Sequence, residues 1–325
     1  MRGAGGAADV PPAPTIRPTP DTQPRPLFSV MITVYRRIDY LERAIRSVLA
    51  QDDGAMEIVV VHDGEDGALR DEIGRIVAQV GGGRVRLHAP PQPLGHPHVF
   101  NECVRRARGR SVHILHDDDW VKPGFYARLG EGIAAEPLLG AAFCRHTHTS
   151  GDRTTITRLE RETPGIIADW LLRIGESCRV QFSSIVVRRA AYERLGGFRA
   201  EAGSAFDWDM WKRIATRYPV WFEPVVLAAS TKDGDAETDR LKLSGQQVRD
   251  SLRSIELAEQ FLPNAVSAEV TRRAKRFYAS YRLDLAKRLL DAGNVAAFRA
   301  NVAAALAADP SAEAALQLLA SITHE

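Results

Sequence analysis

The chain is poor in cysteine. Cys103, Cys144 and Cys178 stand far apart among 325 residues, with no Cys-x-x-Cys spacing. An odd, sparse set argues against a disulfide framework and fits a reducing, cytoplasmic setting. No apolar run approaches the roughly 20 residues of a membrane span. Excess charge is also missing: 43 Lys and Arg face 41 Asp and Glu, a formal charge of +2. Bulk electrostatics therefore gives no case for nucleic acid. Arginine is abundant but spread along the chain, which leaves room for a local patch facing a phosphorylated or anionic acceptor. Residues 1–26 are rich in Gly, Ala and Pro and have no apolar core of a signal peptide. Such a segment cannot bury enough to offset its ordering entropy, so it reads as a disordered arm.

What is present is an alternation of strand and helix. Phe28 to Val34 is a strand, followed by a helix that starts at Asp39 with Glu42 three residues on, as in a capping box. Glu57 to Val61 is a continuous apolar run of the kind buried on both faces of a parallel sheet. A helix through Leu69, Ile73, Ile76, Val77 and Val80 follows, then a short strand at 85–88 and a helix from Val99 to Ala107. Such an order implies right-handed crossovers and a mostly parallel α/β sheet with helices on both sides. Ligands bind beyond the carboxyl ends of strands in such sheets.

The next strand, 111–116, ends in Asp117-Asp118-Asp119. Adjacent carboxylates repel, and holding them together costs free energy unless a cation or hydrogen-bond donors share the charge. The triplet reads as a divalent-metal site at a sheet edge, or as an acidic turn that caps the following helix. Later strands are expected at 141–144, 184–187 and 220–229, with a helix opening at Asp207. From about Ser244 the chain turns helical, and these helices pack on the main domain or on a twin subunit. The polar stretch from Thr231 to Arg240 reads as a mobile loop, a lid or a plain connection.

Four stretches, in order, resemble the family 2 glycosyltransferases of the GT-A fold. They are 29–37 with Tyr40-Leu41, Ala44-Ile45 and Gln51; Glu57 to Gly64; Gly95, Asn101 and Gly109 leading to Leu115-His116-Asp117-Asp118-Asp119; and Gly196-Gly197-Phe198 followed by Asp207 to Trp211. The resemblance covers roughly Phe28 to Ser230. It implies an inverting transfer of a sugar from a nucleotide-diphosphate donor, a UDP-sugar above others, to the hydroxyl of a glycan or lipid-linked acceptor, as in polysaccharide biosynthesis. It also implies Mn²⁺ or Mg²⁺ at a DXD-type site. On this reading residues 27–243 form the transferase domain, with a nucleotide-binding half at 27–120 and an acceptor-binding half at 121–243. Residues 244–325 form a helical extension able to support a homodimer. Peripheral contact with a membrane follows if the acceptor is lipid-linked.

By family position, Asp118 binds the metal, Asp119 assists it, and Asp117 lies nearer the ribose. Asp207 is the general base, with Asp209 in reserve. The nucleotide pocket is expected from Thr33, Tyr35, Asp63 and Asn101, and the acceptor wall from Gly197, Trp208 and Asp209. Three positions depart from the pattern. His62 and His116 stand where acidic residues are common, and Phe100 stands where Arg is common. They support a rival reading, a nucleotide-sugar-binding protein that has lost catalysis. A sugar nucleotidyltransferase would need a glycine-rich loop after the first strand, and residues 33–38 have no glycine.

Overall fold

The computed structural model describes residues 11–20, 24–231 and 243–311. Most of the expected loop after Thr231 lies outside these residues, as do 1–10, 21–23 and 312–325. The first half alternates as the apolar runs require: β1 (Phe28–Val34), α1 (Leu41–Leu49), β2 (Glu57–His62), α2 (Gly67–Gly81), β3 (Val85–His88), α3 (His98–Arg106) and β4 (Ser111–His116). All residues of β1 and β2 are buried, as expected for strands covered on both faces. These strands run parallel in the order β3-β2-β1-β4. The register sets Val34 beside His62 and Thr33 beside His116, so the loops after β1, β2 and β4 open at one edge.

The capping box expected at Asp39 does not form. Helix α1 begins at Leu41, its N-cap Tyr40 makes no side-chain cap, and Glu42 pairs with Arg46 instead. Helix α2 is capped by Asp66, whose carboxylate accepts from the amides of Ala68 and Leu69.

The second half supplies β5 (Asp119–Val121), α4 (Phe125–Ala135), β6 (Ala141–Ser150), β7 (Arg153–Ile156), β8 (Gly165–Ile166), α5 (Trp170–Glu176), β9 (Ile185–Arg188), α6 (Arg189–Leu195), α7 (Phe206–Ala215) and β10 (Val220–Thr231). Strand β9 lies antiparallel between β4 and β6, β10 runs parallel to β6, and β5 is antiparallel to β10. The ten-stranded sheet is thus mixed at this end. Because β5 starts at Asp119, the acidic triplet lies in the turn where the parallel half passes into the mixed half.

Helices α8 (Gln246–Ala258), α9 (Asn264–Asp291) and α10 (Val295–Ala308) complete the fold. Helices α8 and α9 pack on the α/β part of this chain, and α10 packs on α9. Trp208 of α7 meets Tyr278 of α9 with ring centroids 5.2 Å apart, and the Lys212 ammonium donates to the Ser254 carbonyl of α8 at 2.7 Å.

The arm expected to be disordered is corrected over residues 11–20. Ile16 is 1% exposed and part of the core. The Pro14 carbonyl accepts from Gly197 N at 2.7 Å, and Arg189 donates to the Arg17 carbonyl at 3.1 Å. A proline-rich segment is already stiff and extended, so it gives up little freedom on docking.

Candidate active site

Strand ends bring the acidic triplet into an open crevice. The carbonyl of Thr33 accepts from Asp117 N at 3.1 Å, fixing the triplet to the end of β1. Ligand atoms of His116, Asp118 and Asp119 lie within 4.8 Å of one another. The His116 ring faces the Asp119 carboxylate at 3.5 Å. Burial opposes a charge on that ring, yet the hydrogen bond to Asp119 and the charges of all three aspartates outweigh it and carry His116 up to about 9. Burial and the Asp118 charge push Asp117 up to about 7. Burial and Asp119 raise Asp118 as well. The negative charge of the cluster is therefore under-compensated by the protein.

Two cations missed by the sequence reading flank it. The exposed Arg37 guanidinium lies 3.4 Å from the Asp118 carboxylate. Arg43, on α1, donates to the Asp118 carbonyl at 3.0 Å and to the Thr231 hydroxyl at 3.3 Å. Its guanidinium also lies 3.8 Å from the Trp120 ring centroid and 4.6 Å from that of Tyr40. An arginine on an amphipathic helix carries no sequence signal for such a role, because its partners come from β5 and β10.

Asp207, at the start of α7, lies within electrostatic reach of His116. Its Oδ1 accepts from the amide of Trp208 at 2.6 Å, and its Oδ2 lies 3.9 Å from the Cys178 thiol. Burial pushes its carboxyl up to about 6, against a lowering pull from the amide of Trp208 and the nearby His116 charge. An aromatic wall spans the interval. His116 packs on Phe182 at 5.3 Å and on Phe100 at 5.7 Å, and Phe100 stacks on Phe206 at 5.2 Å. Phe100 is 1% exposed, so where the family often has Arg this chain has a core ring.

The other expected site residues have these surroundings. Asn101 is 1% exposed and commits both ends of its amide to Phe198, accepting from N at 2.7 Å and donating to O at 2.9 Å. It is a clasp between α3 and the 196–198 loop. A Cβ on Gly197 would lie 2.2 Å from Asn101 Oδ1, so this glycine admits the clasp rather than an acceptor. Trp208 is 1% exposed, with its indole N–H on the Ile174 carbonyl at 2.5 Å. Asp209 is fully buried against Arg213 at 2.9 Å. Asp63 is 4% exposed, and its two oxygens accept from Leu94 and Gly95 amides at 2.6 and 2.9 Å, shaping that loop. Tyr35 is 45% exposed beyond β1, under the Arg36 guanidinium at 4.6 Å, and Thr33 is nearly buried at 9%.

The segment ahead of Asp207 is held from α8. Asp250 Oδ2 accepts from Ser204 N at 2.9 Å and from its hydroxyl at 2.6 Å, beside Gly203 at φ +55°. No pattern in the sequence links position 250 to 204.

Comparison with known proteins agrees with this architecture. Residues 29–196, just over half of the chain, match Glycosyl transferase family 2. An uncharacterised protein of Mycobacterium tuberculosis, MT1568, is 29% identical over 264 residues, which cover 74% of this chain and 79% of that one. The crystal structure of S. aureus TarS 1-349 in complex with UDP-GlcNAc superposes with a TM-score of 0.61 at 16% identity, covering 77% of this chain and 71% of that 1-349 chain. The mannosyltransferase PcManGT from Pyrobaculum calidifontis, solved with GDP-Man and Mn²⁺, superposes with a TM-score of 0.59 at 20% identity, covering 97% and 82%. With these matches lying over the strands that carry the acidic crevice, the chain belongs to glycosyl transferase family 2 and is a glycosyltransferase of the GT-A fold.

Proposed function

We propose that the protein transfers a sugar from a nucleotide-diphosphate donor to an acceptor hydroxyl with inversion, in a metal-dependent reaction, and that the donor is a UDP-sugar. What supports this reading is an under-compensated acidic cluster at the strand ends and a separate, partly buried carboxylate, Asp207, which feels the His116 charge and adjoins the ring chain His116–Phe100–Phe206. His116, Asp118 and Asp119 offer the oxygen and imidazole donors that suit Mn²⁺ or Mg²⁺. When bound, such an ion neutralises charge that grows on a departing diphosphate. Relatives in fold have been solved with UDP-GlcNAc and with GDP-Man and Mn²⁺, which supports the donor class.

This chain's own residues do the rest. Asp117, beside Thr33 at the end of β1, faces the nucleotide side. Arg37, free to swing from Asp118, is a second cation for phosphate oxygens. Asp207 takes the acceptor's proton as its oxygen attacks the anomeric carbon from the face opposite the leaving group. A carboxylate raised to about 6 is ionised at neutral pH yet more basic than an ordinary aspartate, which suits that task. Acceptors of glycan or lipid-linked type fit an open crevice.

A thermal-shift series of nucleoside diphosphates with and without Mn²⁺ tests the reading. UDP with Mn²⁺ raises the melting temperature by mass action, and Asp118→Asn removes the metal-dependent part. Absence of any nucleotide- and metal-dependent shift in the wild-type protein overturns it.

A further inference from the structure

A second cavity, of about 300 Å³, lies outside the crevice. Its lining includes Arg158, Glu160, Arg173, Glu176, Arg179 and Arg273. The floor is a locked network. The Glu160 side chain is 3% exposed, and its carboxylate takes Arg173 at 3.1 Å and Arg179 at 3.3 Å. Arg173 also pairs with Asp169 at 2.9 Å, and Arg179 with Glu176 at 2.5 Å. The three carboxylates of the cavity are thus engaged by two floor arginines.

The rim differs. Arg158 is exposed and has neither a hydrogen bond nor an ion pair among the described residues. Arg273, from α9, reaches the cavity from the other side. Its carboxylate partner is Glu269, outside the lining and shared with Arg272. Two guanidinium groups therefore face one polar cavity whose carboxylates are already committed.

The position matters as much as the charge. Arg179 follows Cys178, whose thiol lies 3.9 Å from Asp207 Oδ2. Helix α5, which carries Arg173 and Glu176, accepts the Trp208 indole N–H on its Ile174 carbonyl. The cavity and the proposed base are thus built on the same α5–179 segment.

We propose that this cavity binds a phosphate group carried by the acceptor, with Arg158 and Arg273 as its ligands, and so anchors the acceptor beside Asp207. Guanidinium groups recognise phosphate oxygens through paired, charge-assisted hydrogen bonds, and a floor whose carboxylates are already paired with Arg173 and Arg179 repels the added negative charge less. The acceptor role rests on the glycosyltransfer reading; the anion site does not.

Calorimetric titration of the full chain with inorganic phosphate and with glycerol phosphate, without divalent metal, tests the site. Saturable binding is expected. Arg158→Gln combined with Arg273→Gln should weaken it about tenfold or more, with unfolding temperature unchanged. Asp118→Asn should retain the phosphate binding while losing metal-dependent nucleotide binding, so failure of the donor reading and failure of this one are distinguishable. Sedimentation with phosphatidylglycerol vesicles but not phosphatidylcholine vesicles, lost in the double variant, assigns the anion to a lipid headgroup. Binding of soluble phosphate without vesicle capture assigns it to a soluble phosphorylated glycan. No saturable binding of either probe, or equal binding by the double variant, overturns the proposal.

Discussion

Asn101 holds Phe198 by both backbone polar groups, with Oδ1 2.7 Å from its N and Nδ2 2.9 Å from its O. The pair ties helix α3 to the loop that precedes the Asp207 helix, inside a core where both residues are almost fully buried. Asn101→Ala leaves a buried donor and a buried acceptor without partners, at about 1–3 kcal/mol each. The expected outcome is a large fall in the denaturant midpoint with nucleotide affinity of the folded fraction unchanged. Lost UDP affinity at wild-type stability would restore a direct role in the donor pocket.

Asp207→Asn separates transfer from binding. Removing a general base costs about 10²–10⁴-fold in turnover. Metal-dependent nucleotide binding, carried by the other wall, should persist. The wild-type rate should fall as pH drops through about 6, where the carboxylate takes up its proton. The stability effect has the opposite sense. Burial raises the folded pKa above the unfolded value, so ionisation destabilises the fold at neutral pH, and this penalty is relieved as pH falls through about 6. The asparagine variant should therefore melt at or above wild type at pH 7. Wild-type turnover in this variant removes Asp207 from the base role.

Much of the first half was legible because its strands are continuous apolar runs ending in polar turns. Those runs set both the parallel order and the edge at which Thr33, Asp63 and Asp117 gather. The acceptor side was less so. Asp207, Trp208 and Asp209 are neighbours in sequence, but a helix turns about 100° per residue, so they point to three different surroundings. Asp207 meets the Cys178 thiol, Trp208 meets Tyr278, and Asp209 meets Arg213. Adjacency in the chain could not sort them. Arg43 and Asp250 escaped notice for a related reason: each acts on a backbone group far away in sequence, and hydrogen bonds to a backbone leave no residue pattern to read.

The Asp250 clamp predicts that a C-terminal helix sets the pose of the base. Gly203 has φ +55°, and a Cβ there would lie 2.4 Å from the Asp250 carboxylate carbon, so the segment before Phe206 is moulded around this side chain. Asp250→Ala removes the acceptor for Ser204 N and its hydroxyl. Turnover should drop about tenfold or more, as expected when a reacting group is misplaced. The KM for the donor should stay near wild type, and Asp250→Asn, which keeps one acceptor oxygen, should fall between. A variant that loses only stability, with full turnover of the folded fraction, would make the clamp merely structural.

Lys212 gives a prediction for stability alone. The residue is 1% exposed, and its ammonium lies 3.7 Å from the Trp208 ring centroid and donates to the Ser254 carbonyl and hydroxyl. Burial lowers it to about 7, although Asp209, Cys178 and Asp207 pull the other way. The unfolded chain keeps this proton up to its ordinary value of 10.5, so from about 7 to 10.5 the unfolded state binds more protons than the folded one. Stability contributed by this site therefore rises with pH across that window and is flat below it. Lys212→Met replaces a buried charge with an apolar chain of similar length, a change that is often neutral or stabilising. The variant should gain most over wild type at pH 7, and the gain should shrink steadily toward pH 10 in paired melting curves. A difference that does not change with pH would mean that Lys212 stays charged in the fold, held by the Trp208 face and the aspartates around it.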